Sequence, residues 1–132
     1  MKMNTALIVI VLAAITLALF YVSQNQESSK IMDPQTAKQN IEEQAGIIID
    51  VRTSEEFAGG HLQQAQHNFD VMSGEFASKL DSLDKDETYY LYCRTGNRSG
   101  KATKMMKQDG FSNVHNIGGY QDLVDAGFES EK

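Results

Sequence analysis

Two short runs, rich in β-branched and aromatic residues, most constrain the fold of this chain. They are IIIDV at residues 47–51 and TYYLYC at residues 88–93. The first run is continuously apolar up to its aspartate, which is typical of a strand buried on both faces of a sheet. Strands of that kind occur in parallel sheets that are covered by helices. The two runs therefore favour an α/β fold.

Helical and extended patterns alternate through the rest of the chain. Helical patterns follow Asp33-Pro34, the capping box Thr53–Glu56, Phe76, Ser99 and Gly119, and weaker strands are predicted at 65–69 and 113–117. Alternation of this kind predicts right-handed crossovers and a parallel sheet flanked by helices on both faces. Functional sites in such sheets lie beyond the carboxyl ends of the strands, and Cys93 is at such an end.

Residues 6–22, ALIVIVLAAITLALFYV, are apolar apart from Thr16. As a helix they would span roughly 26 Å, close to the thickness of a hydrocarbon core of about 30 Å. Residues 1–23 are therefore predicted to be one hydrophobic helix, either an uncleaved membrane anchor or a cleaved signal sequence. The length of the run favours an anchor, because the apolar part of a signal peptide is usually about 7–15 residues long.

The basic residues around this segment predict its orientation. Lys2 precedes it, and the next basic residue is Lys30. The positive-inside rule therefore predicts a cytoplasmic N-terminus and an exported domain. The domain would face the periplasm or the outside on its anchor, or would be soluble in the periplasm after cleavage. Residues 24–32 are predicted to be a polar linker, and residues 33–129 a single domain.

Charge and cysteine content exclude two further possibilities. The net charge is −6, from 12 basic and 18 acidic residues, whereas a nucleic-acid-binding protein usually has a basic surface. Cys93 is the only cysteine, so the fold has no internal disulfide.

The residues around Cys93 favour a reactive thiolate. An ordinary thiol has a pKa of about 8.5, so ionisation at neutral pH requires a stabilisation of roughly 2.7 kcal/mol. Backbone N–H groups of residues 94–99, the start of the following helix, and the charges of Arg94 and Arg98 can together supply it. Gly96 and Asn97 tolerate the left-handed conformations that such a loop needs.

The loop CRTGNRS resembles the active-site loop of rhodanese-type sulfurtransferases, specifically the single-domain exported members of the phage-shock type. The stretch IIIDVRTSEEFAGGHLQQAQHNF and the closing GFSNVHNIGGYQDLVDAGF are similar to the other motifs of that family. The resemblance extends over nearly all of residues 33–129. Leu123 departs from it, since the family often has tryptophan there, and so does Phe69-Asp70, where a proline is common.

The resemblance implies a rhodanese-like fold and a sulfurtransferase activity of the thiosulfate type. Cys93 would take a sulfane sulfur from a donor such as thiosulfate, become a persulfide, and pass the sulfur to a thiol or cyanide. The donor and the persulfide would be bound by the six residues that follow the nucleophile: Arg94, Thr95, Gly96, Asn97, Arg98 and Ser99. The site would be supported by Asp50, Arg52 and His61, with no metal and no organic cofactor.

Alternative interpretations exist for the loop and the histidines. Fold relatives with phosphatase or arsenate-reductase activity have five residues between the cysteine and the arginine, whereas here four separate Cys93 from Arg98. A module that binds a partner or carries sulfur passively is the other alternative. His61 could act as a general base, although the resemblance implies a structural hydrogen bond. His67 and His115 have no metal-ligand spacing.

Overall fold

The computed structural model describes residues 4–132 of the chain. Its helices are α1 (Thr5–Ser29), α2 (Pro34–Gln44), α3 (Ser54–Ala58), α4 (Glu75–Lys79), α5 (Asn97–Gln108) and α6 (Tyr120–Asp125). Its strands are β1 (Ile47–Asp50), β2 (His61–Leu62), β3 (Ala65–Asn68), β4 (Thr88–Cys93), β5 (Asn113–Gly119) and β6 (Ser130–Glu131). A single 3-10 turn (Leu80–Ser82) follows α4 directly.

A parallel sheet with the strand order β3–β1–β4–β5 lies at the centre of the described residues. Successive side chains of its inner strands point to opposite faces. Ile49 and Leu91 are in register and pack in one core with α4 and α5. Ile48 and Tyr90 are in register and pack in a second core with α2 and α6. The predicted parallel sheet with helices on both faces is thus confirmed.

The start of α2 follows the predicted cap. The Asp33 side chain accepts a hydrogen bond of 3.0 Å from the Thr36 N–H, and Pro34 occupies the first helical position. This arrangement satisfies one of the backbone donors that every helix start leaves unpaired. The cap orients α2 so that Ala37 is fully buried against the sheet.

Several boundaries differ from those predicted, and strands β1 and β3 each end one residue earlier than expected. Helix α5 begins at Asn97, two residues before Ser99, because Gly96 adopts a left-handed conformation (φ 94°) that turns the chain directly into the helix. Strand β5 continues through Gly119 rather than ending at residue 117. The antiparallel pair β2–β6 was not predicted, because two-residue strands have no periodic pattern, and it extends past residue 129.

Helix α1 contains the predicted hydrophobic segment. Within residues 4–132, Thr5–Ser23 is the segment long and apolar enough to cross a membrane, a property that a signal sequence shares. The helix continues to Ser29, so most of the segment predicted as a polar linker is helical. Ile31 then pairs with Asn116 of β5 through a parallel bridge. The division into anchor, linker and domain stays a prediction, and Lys2 lies outside the described residues.

The cap of α2 can be tested by substitution. We expect Asp33→Ala to lower the free energy of unfolding by about 1 kcal/mol, because it leaves the Thr36 N–H without its acceptor. Asp33→Asn is the matched control, and it should change stability little because asparagine caps helices as well as aspartate does. Denaturant unfolding of the full chain in mild detergent measures both. An equal loss in the two variants would mean that the charge, not the cap, stabilises this region.

Candidate active site

The candidate active site begins where β4 ends. Cys93 is the last residue of β4, which lies between β1 and β5, and its side chain is fully buried. Three residues then turn the chain into α5. The sulfur therefore lies at the carboxyl edge of the sheet, beside the first turn of a helix.

Hydrogen-bond donors surround the sulfur. The Gly96 N–H donates to Cys93 Sγ over 3.0 Å, and the Ser99 hydroxyl lies 3.4 Å from the same atom. Burial alone raises the pKa of the Cys93 thiol. Hydrogen bonds from the Ser99 hydroxyl and from the N–H groups of Ser99, Thr95 and Gly96 outweigh burial, so that the pKa is lowered overall. The loop thus favours the thiolate form of Cys93.

Asn116, a residue of β5 that the sequence analysis did not single out, fixes this loop. Its Oδ1 accepts hydrogen bonds from the Ser99 hydroxyl (2.7 Å) and the Gly118 N–H (3.1 Å). Its Nδ2 donates to the Gly96 carbonyl over 2.9 Å. No signal in the sequence distinguished it, because Asn113 and His115 of the same strand are also polar. Since a hydroxyl has one proton, Ser99 donates either to Asn116 or to the sulfur.

Arg98 forms a bidentate ion pair with Glu56 of α3. Both N–O distances are 2.7 Å, and both side chains are partly buried. The hydrogen bond from Arg98, followed by contacts with Thr53 and the charge of Arg98, lowers the pKa of Glu56 to about 2. The predicted capping box is present, and it orients this carboxylate through Thr53. Much of the Arg98 charge is therefore compensated within the protein, which sequence reasoning did not foresee.

Arg94, Thr95 and Asn97 are exposed on the outer side of the loop. A cavity of about 370 Å³ lies beside Arg94. Its other lining residues are Arg52, Glu55, Glu56, Gly59, Gly60, Tyr120 and Gln121. Arg94 is thus the exposed arginine of the loop, and it lines this cavity.

The expected ion pair between Asp50 and Arg52 is present and almost fully buried. The Arg52 guanidinium binds both carboxylate oxygens of Asp50, with a closest distance of 2.6 Å. It also donates to the Gly60 carbonyl over 2.7 Å and lies 4.7 Å from the centre of the Tyr120 ring. Because a buried charge is stable only when it is paired and hydrogen-bonded, the two residues hold each other in place. They join the end of β1 to the chain around Gly60.

His61 is held away from any nucleophilic dyad. Its Nδ1 lies 2.9 Å from the Phe57 carbonyl, its ring stacks on Phe57 at 3.7 Å, and its Nε2 lies 3.4 Å from a carboxylate oxygen of Glu131. These contacts are those of a structural hydrogen-bonding residue. His67 and His115 stack on Phe69 and Tyr90, respectively. Residues 4–132 contain no group of three or more histidine, cysteine or acidic residues placed to hold a metal ion.

Comparison with known proteins finds a matching family pattern, similar sequences and similar solved structures. The sequence pattern of the rhodanese-like domain matches residues 33–126. The putative sulfurtransferase YtwF of Bacillus subtilis (strain 168) is 40% identical over 72 residues, which are 54% of this chain and 67% of that protein. The thiosulfate sulfurtransferase GlpE of Pseudomonas fluorescens (strain SBW25) is 30% identical over 86 residues, covering 65% of this chain and 76% of that protein.

A solved structure described as rhodanese with anions from E. coli is 30% identical, with a TM-score of 0.57. The match covers 65% of this chain and 96% of the solved one. The chain spans between 50% and 67% of the length of four of the curated relatives that it matches.

Because of the Arg98–Glu56 ion pair, we expect the free energy of unfolding to depend on pH. Because the pKa of Glu56 is depressed, the pair stabilises the fold fully above the unfolded-state pKa of about 4.3, and this stabilisation is lost as the pH falls towards 2. We expect Glu56→Gln to lower the free energy of unfolding by about 1.5–3 kcal/mol at neutral pH, and by much less near pH 2.

Denaturant unfolding across this pH range is the measurement. Glu55→Gln is the matched control, since Glu55 is the exposed neighbouring carboxylate, whose own hydrogen bond comes from Ser54 at 3.3 Å. A difference between wild type and Glu56→Gln that stays constant down to pH 2 would contradict the assigned ion pair.

Proposed function

Because the chain belongs to the rhodanese-like domain family, we propose that it is a sulfurtransferase that carries sulfur as a persulfide on Cys93. The observation that carries this proposal is the convergence of the Gly96 N–H and the Ser99 hydroxyl on the Cys93 sulfur, at 3.0 and 3.4 Å. A thiolate is the reactive form of cysteine, and these donors favour it. The same donors suit the terminal sulfur of a persulfide anion.

In the first step the Cys93 thiolate attacks the outer, sulfane sulfur of the donor. With thiosulfate, a bond forms between Sγ and that sulfur while the sulfur–sulfur bond of the donor breaks. The electron pair of the broken bond leaves with sulfite. Arg94, which is exposed beside the loop, would attract the anionic donor and stabilise the charge that develops on the leaving group.

In the second step a nucleophilic acceptor removes the sulfur. A thiolate or cyanide attacks the outer sulfur of the persulfide, and the electron pair of the breaking bond returns to Sγ. The products are a persulfide of the acceptor or thiocyanate, and the Cys93 thiolate is regenerated. The chain has no second cysteine, so the persulfide is resolved only by an external acceptor. The reaction is balanced without a metal, an organic cofactor or an oxidant.

Two considerations support thiosulfate as the donor. One relative, GlpE of Pseudomonas fluorescens, is named a thiosulfate sulfurtransferase. The loop itself is short, since four residues separate Cys93 from Arg98. A loop of this length closes around a single sulfur atom and leaves less room than an oxyanion-binding ring. Arg98 is held by Glu56 at 2.7 Å, so we assign it to shaping the loop and Arg94 to meeting the donor.

The hydrophobic helix α1 supports a location of the domain outside the cytoplasm. We infer that the domain is exported and either stays on its membrane anchor, facing the periplasm or the outside, or is released after cleavage. Thr5–Ser23 has the length and composition that a membrane anchor needs. Anchored in this way, the site would exchange sulfur with small thiols or partners close to the membrane surface.

The reaction is tested by mass spectrometry of the full chain after incubation with thiosulfate. We expect a mass increase of one sulfur atom on the peptide that contains Cys93, and its removal by cyanide or a small thiol. Cys93→Ser is the control with nearly the same shape, and it should form no adduct and produce no thiocyanate. Absence of the adduct on wild type would contradict the proposal, as would sulfur transfer by Cys93→Ser. Turnover of arsenate or an aryl phosphate without adduct formation would point to oxyanion chemistry.

The location is tested by extraction of cell membranes with alkaline carbonate. An anchored protein stays in the membrane pellet, whereas a processed one becomes soluble and is shorter by roughly the length of a signal peptide, about 15–30 residues. Protease added to spheroplasts should digest the domain in either case. A domain that resists digestion in intact spheroplasts would contradict the inferred export.

A further inference from the structure

Ile31 lies directly against the active-site loop, although it belongs to the segment between α1 and α2. Its backbone pairs with Asn116 in a parallel bridge, and the next residue, Met32, donates a hydrogen bond of 2.8 Å to the Asn116 carbonyl. Residues 31 and 32 therefore lie along the outer edge of β5, at the point where the Asn116 side chain reaches into the loop. Only Lys30 separates Ile31 from the end of α1 at Ser29.

The Ile31 side chain fills the space over two loop-forming glycines. A methyl group on Gly96 would lie 2.6 Å from Ile31 Cδ1, and one on Gly118 would lie 2.9 Å from Ile31 Cγ2. Both distances are shorter than carbon atoms allow, so the isoleucine packs against the bare backbone at both positions. The contact needs glycine on one side and a branched side chain on the other.

The backbones of Gly96 and Gly118 take part in the hydrogen bonds that surround the Cys93 sulfur. The Gly96 N–H donates to Cys93 Sγ, and the Gly96 carbonyl accepts from Asn116. The Gly118 N–H donates to the same Asn116 side chain. Glycine has no side chain to limit its own backbone, so the orientation of the Gly96 N–H depends on what packs against it. Ile31 contacts Gly96 on the solvent side of the loop.

We propose that Ile31 is a positioning residue of the active site: its side chain holds Gly96 in the orientation in which the Gly96 N–H reaches the Cys93 sulfur. Ile31 remains 46% exposed, so it contributes less to the core than a fully buried isoleucine would. Its contact with the loop, and not general core packing, is then what the residue provides. Through the contact between Ile31 and Gly96, the segment that joins α1 to the domain becomes part of the site.

Alkylation of Cys93 by iodoacetamide over a range of pH tests this positioning. Cys93 is the only thiol in the chain, so the alkylation follows this group alone: the midpoint of the profile reports its ionisation, and the rate at high pH reports its accessibility. We expect Ile31→Ala to shift the midpoint of the profile upwards, which lowers the rate on the acidic side by about three- to tenfold. The rate at high pH, where the thiol is fully ionised, should stay the same. The substitution removes only apolar atoms and leaves the charges of Arg94, Arg98 and Glu56 unchanged.

Two further variants make the test specific. Ile31→Val keeps the branched carbons and loses Cδ1, the atom nearest Gly96, so its shift should be smaller and in the same direction. Ile41→Ala removes the same atoms from α2, where Ile41 packs on the second core, and it should leave the midpoint unchanged. Thermal unfolding of each full chain in detergent identifies any variant that does not fold.

Three results would overturn the proposal. In the first, Ile31→Ala and wild type give the same profile. In the second, Ile41→Ala shifts the midpoint as much as Ile31→Ala. In the third, the midpoint is unchanged and the rate at high pH rises, which would mean that Ile31 only shields the thiol. The assay follows ionisation and not sulfur transfer, so its outcome is separate from that of the persulfide test.

Discussion

The hydrogen bond from the Gly96 N–H to the buried Cys93 sulfur is the contact on which the rest of the site depends. A thiol with no exposed surface would stay protonated without such donors, because burial favours the neutral form. The bond requires a left-handed conformation at Gly96 and the start of α5 immediately after it. Asn116 holds the same residue from its other side, because its Nδ2 donates to the Gly96 carbonyl of the next peptide unit. The parallel pairing of β4 and β5 brings Asn116 next to the loop that follows Cys93. The fold therefore determines which groups surround the sulfur.

Charge around the site is arranged in compensated pairs. Asp50 and Arg52 neutralise each other beneath the loop, and Arg98 is bound by Glu56 across the gap between α3 and α5. Removal of one member of such a pair leaves an unpaired charge that is partly or wholly buried, which is why both pairs rigidify their surroundings. Arg94 is the exposed cation of the loop and lines a cavity, which is why we propose that it meets the anionic donor. In this proposal, attraction of an anionic donor and stabilisation of the thiolate are tasks of different groups.

Local patterns in the sequence predict the elements of the fold but not the contacts between distant residues. The strand IIIDV, the capping box at Thr53 and the position of Cys93 at a strand end each follow from neighbours in the chain. The roles of Asn116, Glu56 and Ile31 do not, because each arises from the register or packing of segments at least 17 residues apart. Arg98 illustrates the limit: its spacing from Cys93 predicts a place in the loop, and the structure adds a carboxylate partner from 42 residues away. Short strands such as β2 and β6 escape prediction for a related reason, since two residues have no periodic pattern and their pairing joins segments that are far apart in the chain.

The hydrogen bonds of the loop lower the pKa of the Cys93 thiol despite its burial. The most direct measurement is the ultraviolet absorbance of the thiolate as a function of pH, taken as the difference between wild type and a Cys93→Ser variant. Since Cys93 is the only cysteine, this difference reports a single group. We expect a midpoint clearly below the ordinary thiol pKa of about 8.5. A midpoint at or above that value would show that burial outweighs the hydrogen bonds from Gly96 and Ser99, and it would contradict the account.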